Sequence, residues 1–382
     1  MPIEISTNRK TISGRSIRWD EARAARAYAA GHWIQQTLAD ALQHAAKKTP
    51  NRVLLVDGDQ RITCTQLQIQ ATQLARSMLS RAPAGSVVSF LLPNWHEAAV
   101  IYLAATIAGM VVNPILPSLR DHDLQFILKD VNTRFVFVPA QFRQHDYVQM
   151  LNRVVAQLES PPEVIVLRGD AGPHIAYPTL LQQSDDDISL PLVNPDAVRM
   201  VLYTSGTTGR PKGVLHTHNS LHALLCQIRQ HWLVEPGDKF LVPSPISHIG
   251  GSIYAFESPL LLGTTAVLAA FVLLVGAGMR TALRAQKEFD KLLATSLTTI
   301  VAVQTFIIIG GVLRVVPLTG VTLPFMSYGG SSLVANYVLL AILVRISDTT
   351  ARGLHEVPDE ASPSERFAAW RMRKAEVKAE AK

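Results

Sequence analysis

Several patterns that would assign the chain to a class are rare or missing from its sequence. Only two cysteines are present, Cys64 and Cys226, and their spacing fits no motif, so we expect no disulfide framework and a reducing compartment. The basic N-terminus is not followed by the apolar segment of a secretory signal. No run of Lys and Arg alternates with aromatic residues, and the net charge of +6 is modest, so we expect no nucleic-acid partner.

What the sequence has in excess is apolar residues, and the excess is local. Hydrophobic residues make up 48% of the 382 positions, and the mean hydropathy of +0.18 is high for a purely soluble enzyme. Much of the excess lies in the last third, where residues 292–313 carry no formal charge. That run exceeds the roughly 20 residues a helix needs to cross a bilayer. The chain is therefore predicted to contain two regions of different kind.

Residues from about 33 to 268 alternate between the helix period and the strand period. Residues 53–56 and 61–63 flank Asp57-Gly58-Asp59, which predicts a hairpin turn, because glycine tolerates a positive φ. Residues 87–92 are apolar except for Ser89, which is typical of a strand buried on both faces. Strands separated by helices favour a largely parallel sheet, so the fold class predicted for this part is α/β.

A loop rich in glycine and hydroxyl groups follows the strand-like run 198–203, and a helical stripe from Leu221 to Trp232 comes after it. Its candidate ligand-binding residues are Thr204, Ser205, Gly206, Thr207, Thr208, Gly209 and Lys212. Glycines let backbone N–H groups approach phosphate oxygens, the hydroxyls add donors, and the lysine supplies a point charge. Lys212 is followed by Gly213, so this is not a Walker A loop. The alternative is an ordinary surface loop.

Residues 203–213 resemble the signature phosphate loop of the adenylate-forming superfamily, which includes acyl-CoA and aryl-CoA synthetases. Pro93-Asn94-Trp95 and Val112-Asn113-Pro114 also resemble that superfamily, and the resemblance covers about residues 31–268. It is strongest to ligases for cyclic or medium-chain acids, such as the cyclohexanecarboxylate-CoA ligase group. Residues 245–251 match the substrate-pocket motif, with His248 and Gly250 in the pocket.

The resemblance implies that ATP and Mg²⁺ act as cofactors and that a carboxylic acid is the substrate, with CoA as a possible further ligand. Three later elements of the family are not found between Leu268 and Lys382. They are a Tyr-Gly-x-Thr-Glu segment that helps to hold Mg²⁺, an Asp that binds the ribose, and a lid with the catalytic Lys. The domain is therefore interpreted as incomplete, no catalytic residue is assigned, and complete activity is expected to be lost.

Three histidines, His216, His218 and His222, lie close together in the sequence and raise the question of a metal site. No Cys or carboxylate lies near them, and the resembled family has no metal there. The pattern favours a transition from loop to helix, and no protein metal site is predicted.

The last third resembles a different family. Residues 317–332 are similar to the C-terminal signature of the SEDS (shape, elongation, division and sporulation) proteins, and the similarity extends back to about Phe271 and includes Gln304. Members are polytopic membrane glycosyltransferases that polymerise peptidoglycan from lipid II. The resemblance implies the lipid bilayer and cell-wall synthesis proteins as partners. The family's catalytic acidic residue has no counterpart here, and a plain hairpin anchor is the alternative.

The predicted organisation is a basic N-terminal extension (1–30), the incomplete adenylate-forming domain (31–268), an all-α transmembrane segment (269–348) and a charged tail (349–382), with the join near residues 267–271. Arg280, Arg284, Lys287 and Lys291 precede the apolar run 292–313. By the positive-inside rule, two spanning helices leave the N-terminal part and the tail in the cytoplasm, at the inner membrane of a bacterium.

Three functions are compatible with these patterns. The first is a fused or truncated acid-CoA ligase without complete activity, and the second is a SEDS-type protein of cell-wall synthesis. The third is a membrane-tethered nucleotide-binding module without turnover.

Overall fold

The computed structural model describes residues 8–183, 185–204, 211–268, 271–285, 287–312 and 330–351. Contacts divide the chain into two compact units, Met1–Phe271 and Val272–Lys382, which we call unit 1 and unit 2. The described strands are β1 Arg9–Ile12, β2 Arg15–Arg18, β3 Val53–Asp57, β4 Gln60–Thr63, β5 Val87–Phe90, β6 Val111–Pro114, β7 Thr133–Pro139, β8 Gln141–Phe142, β9 His145–Asp146, β10 Glu163–Leu167, β11 Ile175–Ala176, β12 Val198–Thr204, β13 Lys212–Thr217, β14 Lys239–Val242 and β15 Thr265–Leu268.

The described helices of unit 1 are α1 Glu21–Ala29, α2 Leu38–Lys48, α3 Cys64–Leu79, α4 His96–Ile107, α5 Asp121–Asp130, α6 Tyr147–Val155, α7 Tyr177–Gln182, α8 His218–Trp232, α9 Ile249–Ser252 and α10 Ser258–Leu261. A π-helical turn, Ile253–Glu257, connects α9 to α10. The next helix, α11 Phe271–Arg284, begins on the last residue of unit 1, and α12 Glu288–Val312 and α13 Gly330–Ala351 follow in unit 2. Helices α2, α3 and α8 each begin with a capping box, in which Thr37, Thr63 and Thr217 satisfy free backbone N–H groups.

The larger sheet of unit 1 has seven strands in the order β11-β10-β7-β5-β6-β12-β13. All neighbours are parallel except β12 and β13, which are antiparallel. Its inner strand β7 is apolar on both faces: Phe135 and Phe137 join the core with α3 and α4, whereas Val136 and Val138 join the core with α5 and α6. This covering by helices confirms the α/β prediction for the N-terminal part.

The smaller sheet has the order β14-β15-β3-β4, so β15 lies between β14 and β3 and is parallel to both. The antiparallel pair β3–β4 is the hairpin predicted around Asp57-Gly58-Asp59, and Gly58 has a φ of +57°. Helix α4 is buried from Ala98 to Ile107 and contacts both β6 of the larger sheet and β3 of the smaller one. An apolar helix of this kind belongs in the interior.

The N-terminal residues predicted as a basic extension contact the rest of unit 1. Ile12 and Ile17 of the β1–β2 hairpin share a buried cluster with Val87, Val111 and Val198. Further along, the Tyr28 hydroxyl donates to Asp196 at 2.8 Å, and the Asn219 side chain donates to the Tyr28 hydroxyl at 2.9 Å.

Unit 2 contains α12, α13 and all of α11 except its first residue. Its described core is made of Ala282, Ala294, Val301, Leu339, Leu343 and Ile346. No helix among the described residues is long and apolar enough to cross a membrane. The structure therefore does not confirm the predicted transmembrane segment. The predicted span 292–313 extends one residue past the described part of α12, and most of the SEDS-like signature 317–332 lies outside the described residues.

The crossing of α11 and α12 depends on one of two nearby glycines. A Cβ added at Gly278 would lie 2.3 Å from Thr298 Oγ1, whereas a Cβ at Gly276 would meet nothing within 4 Å. We expect Gly278→Ala to weaken the packing of α12 by about 1–3 kcal/mol, the usual cost of overpacking. Amide exchange of residues 288–303 should accelerate in this variant. Gly276→Ala is the matched control; equal exchange in the two variants would contradict the close approach.

Candidate functional site

The base of the predicted phosphate loop is held by two strands. Thr204 ends β12 and Lys212 begins β13, and the two residues face each other in the antiparallel ladder. The Thr204 hydroxyl donates to the Lys212 carbonyl at 3.4 Å, and both residues are exposed. Ser205, Gly206, Thr207, Thr208 and Gly209 lie outside the described residues. The predicted helical stripe from Leu221 to Trp232 lies in α8, but β13, which was not predicted, comes between the loop and that helix.

The strand before the loop is fixed by burial and by one side-chain hydrogen bond. Residues Val198 to Leu202 are buried in the sheet. The hydroxyl of the next residue, Tyr203, donates to Asp130 at the end of α5. Burial, together with this bond to a carboxylate, raises the pKa of Tyr203, so the phenol stays protonated. Thr204 therefore stands at the end of a strand that cannot shift easily.

Three candidate segments lie at carboxyl ends of strands, where α/β proteins bind ligands. The phosphate loop leaves the end of β12, and residues 93–95 follow the end of β5; the two strands flank β6, which is parallel to both. Residues 243–248, which contain part of the predicted pocket motif, leave the end of β14. The Asn94 side chain donates to the carbonyls of Val242 and Ser244 at 3.0 and 2.9 Å, and so connects the second segment to the third.

His248 is the N-cap residue of α9, where its Nδ1 accepts the Gly250 N–H at 3.3 Å. An accepting Nδ1 leaves the proton of the neutral ring on Nε2. Burial lowers the pKa of His248, which also favours the neutral imidazole. The structure thus gives His248 and Gly250 one shared hydrogen bond, and the ring is a neutral group able to donate through Nε2.

The glycine whose missing side chain matters most is Gly251, which the sequence reasoning did not select. A Cβ on Gly251 would lie 2.1 Å from the Pro245 carbonyl oxygen, whereas a Cβ on Gly250 would meet nothing closer than His248 Nδ1 at 3.7 Å. The two consecutive glycines in the sequence indicated a tight turn at this place. They did not show which of the two lies against Pro245, because that contact forms only in the folded turn. We therefore assign the steric requirement of the pocket turn to Gly251.

We predict that Gly251→Ala destabilises unit 1 by about 1–3 kcal/mol, because backbone must move to admit the methyl group. Gly250→Ala is the matched control, and its stability should stay within about 0.5 kcal/mol of the parent chain, as for most tolerated substitutions. Urea denaturation followed by tryptophan fluorescence measures both. Equal stability of the two variants would refute the assignment.

A buried ion pair joins the strand of the phosphate loop to the segment that follows the pocket motif. The Arg199 Nη2 group of β12 donates to Glu257 Oε1, at the end of the π-helical turn, and both side chains are 2% exposed. The Tyr102 hydroxyl of α4 donates to the same carboxylate oxygen at 2.5 Å. Burial opposes the charge on Arg199, but Glu257 and Tyr102 outweigh it and raise its pKa.

The three histidines near the loop occupy different environments. His216 lies in β13, His218 begins α8 and is buried, and Nδ1 of His222 is 2.9 Å from the His32 carbonyl oxygen. Burial, followed by the charge of Arg199, lowers the pKa of His218 well below its usual value. In the part of the chain that the structure describes, these histidines do not form a group close enough to share a metal ion.

The described side chains that are close enough to share a metal ion are Asp57, His96 and Glu97. They already have a cation among them, because Arg168 forms two bonds of 2.7 Å to Glu97 and one of 3.3 Å to Asp57. The Arg168 guanidinium also lies 3.9 Å above the Trp95 ring. This cluster neutralises its own charge, so we assign no metal to it.

Comparisons with known proteins divide the chain in a similar way. The AMP-binding enzyme family matches residues 42–285, and the cell cycle protein family of FtsW, RodA and SpoVE matches residues 256–352. The chain is 31% identical over 262 residues to the medium-chain fatty-acid–CoA ligase of Escherichia coli, covering 66% of this chain and 45% of that protein. It is 51% identical over 112 residues to the peptidoglycan glycosyltransferase RodA of Mycobacterium tuberculosis, covering 29% of this chain and 24% of that protein.

Solved structures support the fold of the N-terminal part. Apo MbtA of Mycobacterium smegmatis aligns with a TM-score of 0.61 at 23% identity, covering 68% of this chain and 50% of that one. The anthranilate-CoA ligase AuaEII, in complex with anthranoyl-AMP, aligns with a TM-score of 0.58 at 17% identity, covering 68% and 53%. The chain therefore spans about half the length of the ligases it matches.

Proposed function

The chain belongs to the AMP-binding enzyme family, and on that premise we propose that it binds ATP and a carboxylic acid without completing acyl-CoA synthesis. The observation that carries this proposal is the pairing of Thr204 with Lys212, which holds both ends of a phosphate-type loop at the carboxyl end of β12. Lys212 is exposed at this end of the sheet, so its ammonium group is accessible to the phosphates of a nucleotide in solution. A lysine at such a position suits the binding of a triphosphate. The backbone N–H groups and hydroxyls of residues 205–209 would add donors.

The acid would lie against the pocket motif. His248 is held neutral at the start of α9, so it offers an N–H group without the cost of a buried charge. The E. coli relative is named for medium-chain fatty acids, and a sulfoacetate–CoA ligase of Cupriavidus necator is 31% identical over 238 residues. The motifs in the sequence most resemble those of ligases for cyclic or medium-chain acids, which we propose as the substrate class.

The absence of turnover is proposed from the residues that follow Leu268. In this sequence they supply none of the three later elements of the family: the Mg²⁺-holding Glu, the ribose-binding Asp and the lid Lys. The AMP-binding match ends at residue 285, and the match to the FtsW, RodA and SpoVE family covers residues 256–352. Mg²⁺ and CoA are proposed as ligands only because the family resemblance implies them, and we assign no described side chain to either. Positioning and charge neutralisation carry most of the catalysis in nucleotidyl transfer, so losing these groups should remove the reaction rather than slow it.

Nucleotide binding tests the proposal. Calorimetric titration of the full chain with ATP should give a measurable affinity, and Lys212→Ala should weaken it by about tenfold, as expected for one charge-assisted hydrogen bond. Lys239→Ala removes another exposed lysine, at the start of β14, and should leave the affinity within about twofold, since surface charges contribute little. A chain that does not bind ATP, or equal affinities for the two variants, would contradict the nucleotide site.

A second candidate function rests on the 51% identity to RodA, which is higher than the identity to any ligase named above. In this view the C-terminal part acts in peptidoglycan synthesis at the bacterial inner membrane, and the ligase-like part is a passenger.

Polymerisation of lipid II by the purified chain tests that activity. Single cysteines at Ser184, Val316 and Ser362 in a cysteine-free background test the topology. An impermeant maleimide should label only position 316 in intact cells, and labelling at position 184 would exclude a cytoplasmic N-terminal part.

A further inference from the structure

The side chain of Asn94 holds a stretch of backbone that belongs to another part of the chain. Its Nδ2 group donates to the Val242 carbonyl at 3.0 Å and to the Ser244 carbonyl at 2.9 Å, and its Oδ1 accepts the Ile246 N–H at 3.1 Å. The two carbonyls require the Asn94 NH₂ group on their side, and the N–H requires the Oδ1 atom on the other side. The assignment of Nδ2 and Oδ1 is therefore fixed by these partners. No other neutral side chain of this length offers two donors and an acceptor in that geometry.

The backbone that Asn94 holds is the approach to the predicted pocket. The ladder of β14 with β15 ends at Val242, paired with Leu268, so the residues that follow are no longer held by that strand pairing. Ile246 is buried, and the His248 N–H donates to the Pro245 carbonyl at 2.9 Å. The position at which His248 starts α9 therefore depends on how residues 243–246 are held.

Asn94 is itself on a rigid support. The next residue but one, His96, donates its backbone N–H to Asp57 at 3.1 Å, and its ring Nδ1 lies 2.9 Å from the same carboxylate oxygen. Trp95, between them, lies beneath the Arg168 guanidinium. Because its neighbours Trp95 and His96 are held by these contacts, the Asn94 side chain can hold the backbone to which it is hydrogen-bonded. A residue that supports a binding site must be held in this way.

We propose that Asn94 is a positioning residue for the carboxylic-acid pocket, setting the register of residues 243–248 and through them the place of His248. This inference rests on the proposed acid-binding function. It assigns Asn94 to the acid half of the site, because its three described side-chain hydrogen bonds reach the backbone that follows β14.

Amide exchange of the full chain without ligand tests the positioning role. Asn94→Asp keeps the shape and the acceptor but loses both donors and places a charge against two carbonyls. Exchange at Ile246, His248 and Ser252 should accelerate about tenfold, as expected when one or two hydrogen bonds are lost from a local unit, while residues 198–204 keep their rate. Asn51→Asp changes an exposed asparagine in the same way and is the control. Unchanged exchange at 246–252, or equal acceleration throughout unit 1, would overturn the inference.

A second arm separates this inference from the proposed function. The probes are ATP and 5′-O-(N-octanoylsulfamoyl)adenosine, a stable mimic of an acyl adenylate. Asn94→Asp should weaken binding of the octanoyl mimic about tenfold and leave ATP affinity within twofold, a selective loss that general destabilisation would not give. Equal losses for both probes would overturn the inference. If the parent chain binds neither probe, the proposed function fails, and the exchange result alone decides whether Asn94 positions the segment.

Discussion

A chain that ends at Pro259 should fail to form a stable monomer, because it lacks the strand at the centre of the smaller sheet. Strand β15 pairs with β14 on one side and with β3 on the other. Without it, β14 loses its described strand partner, and β3 keeps only β4. Unpaired strand edges and uncovered apolar surface promote aggregation. The Arg52 guanidinium, which donates to the Thr264 carbonyl at 3.2 Å, would also lose a partner.

A chain that ends at Phe271 is the matched control, since it retains β15 and the whole of unit 1. We expect this longer fragment to elute as a single species in size-exclusion chromatography and to melt cooperatively. The shorter fragment should elute as aggregate and show no cooperative transition. A monodisperse, cooperatively melting monomer ending at Pro259 would show that the sheet does not need β15.

Removing the carboxylate of Glu257 should cost unit 1 about 3–5 kcal/mol, because it leaves the buried Arg199 charge without its partner. Arg199 is 2% exposed, and its Nε and Nη1 atoms have no hydrogen-bond partner in the structure, so little else can compensate. Urea denaturation of Glu257→Ala, followed by tryptophan fluorescence, measures the loss. The double variant Arg199→Met with Glu257→Leu should recover most of it, since apolar groups of similar size can replace a buried ion pair.

The control for this result is an ion pair on the surface. Lys129 and Glu159 are 3.2 Å apart with side chains 67% and 88% exposed, and such a pair contributes at most about 1 kcal/mol. Glu159→Ala should therefore barely change the denaturation midpoint. A loss at Glu257 no larger than the loss at Glu159 would mean that the buried pair is not needed for the fold.

The elements that the sequence predicted correctly have local signals. The hairpin at Gly58 needs a residue that tolerates a positive φ between two strands, and both requirements appear within a few positions. The inner strands β5, β6, β7 and β10 of the larger sheet are largely apolar runs, because helices cover both faces. Strand β13 was not predicted because it is an exposed edge strand that contains a lysine, a glycine and a histidine. Such a composition reads as loop unless the neighbouring strand is known.

The parts of the site that the sequence did not predict depend on contacts between distant residues. Arg199 is a single charge within an apolar strand, and nothing near it in the sequence identifies Glu257 as its partner. The role of Asn94 likewise depends on carbonyls about 150 positions later, and that of Gly251 depends on a turn that forms only in the fold. The motif residues 204–212 and 248–250 were predicted from resemblance, and their roles in binding stay predictions.

Carboxylate-dependent exchange of pyrophosphate into ATP tests the central claim most directly, because it reports formation of the acyl adenylate without requiring CoA. The full chain should be assayed with octanoate and cyclohexanecarboxylate, beside the double variant Lys212→Ala with Thr207→Ala as background. We predict exchange no faster than that background with either acid, even under conditions where ATP binding is measurable. Acid-dependent exchange above the background would contradict the account, since it would show that this chain completes the adenylation step.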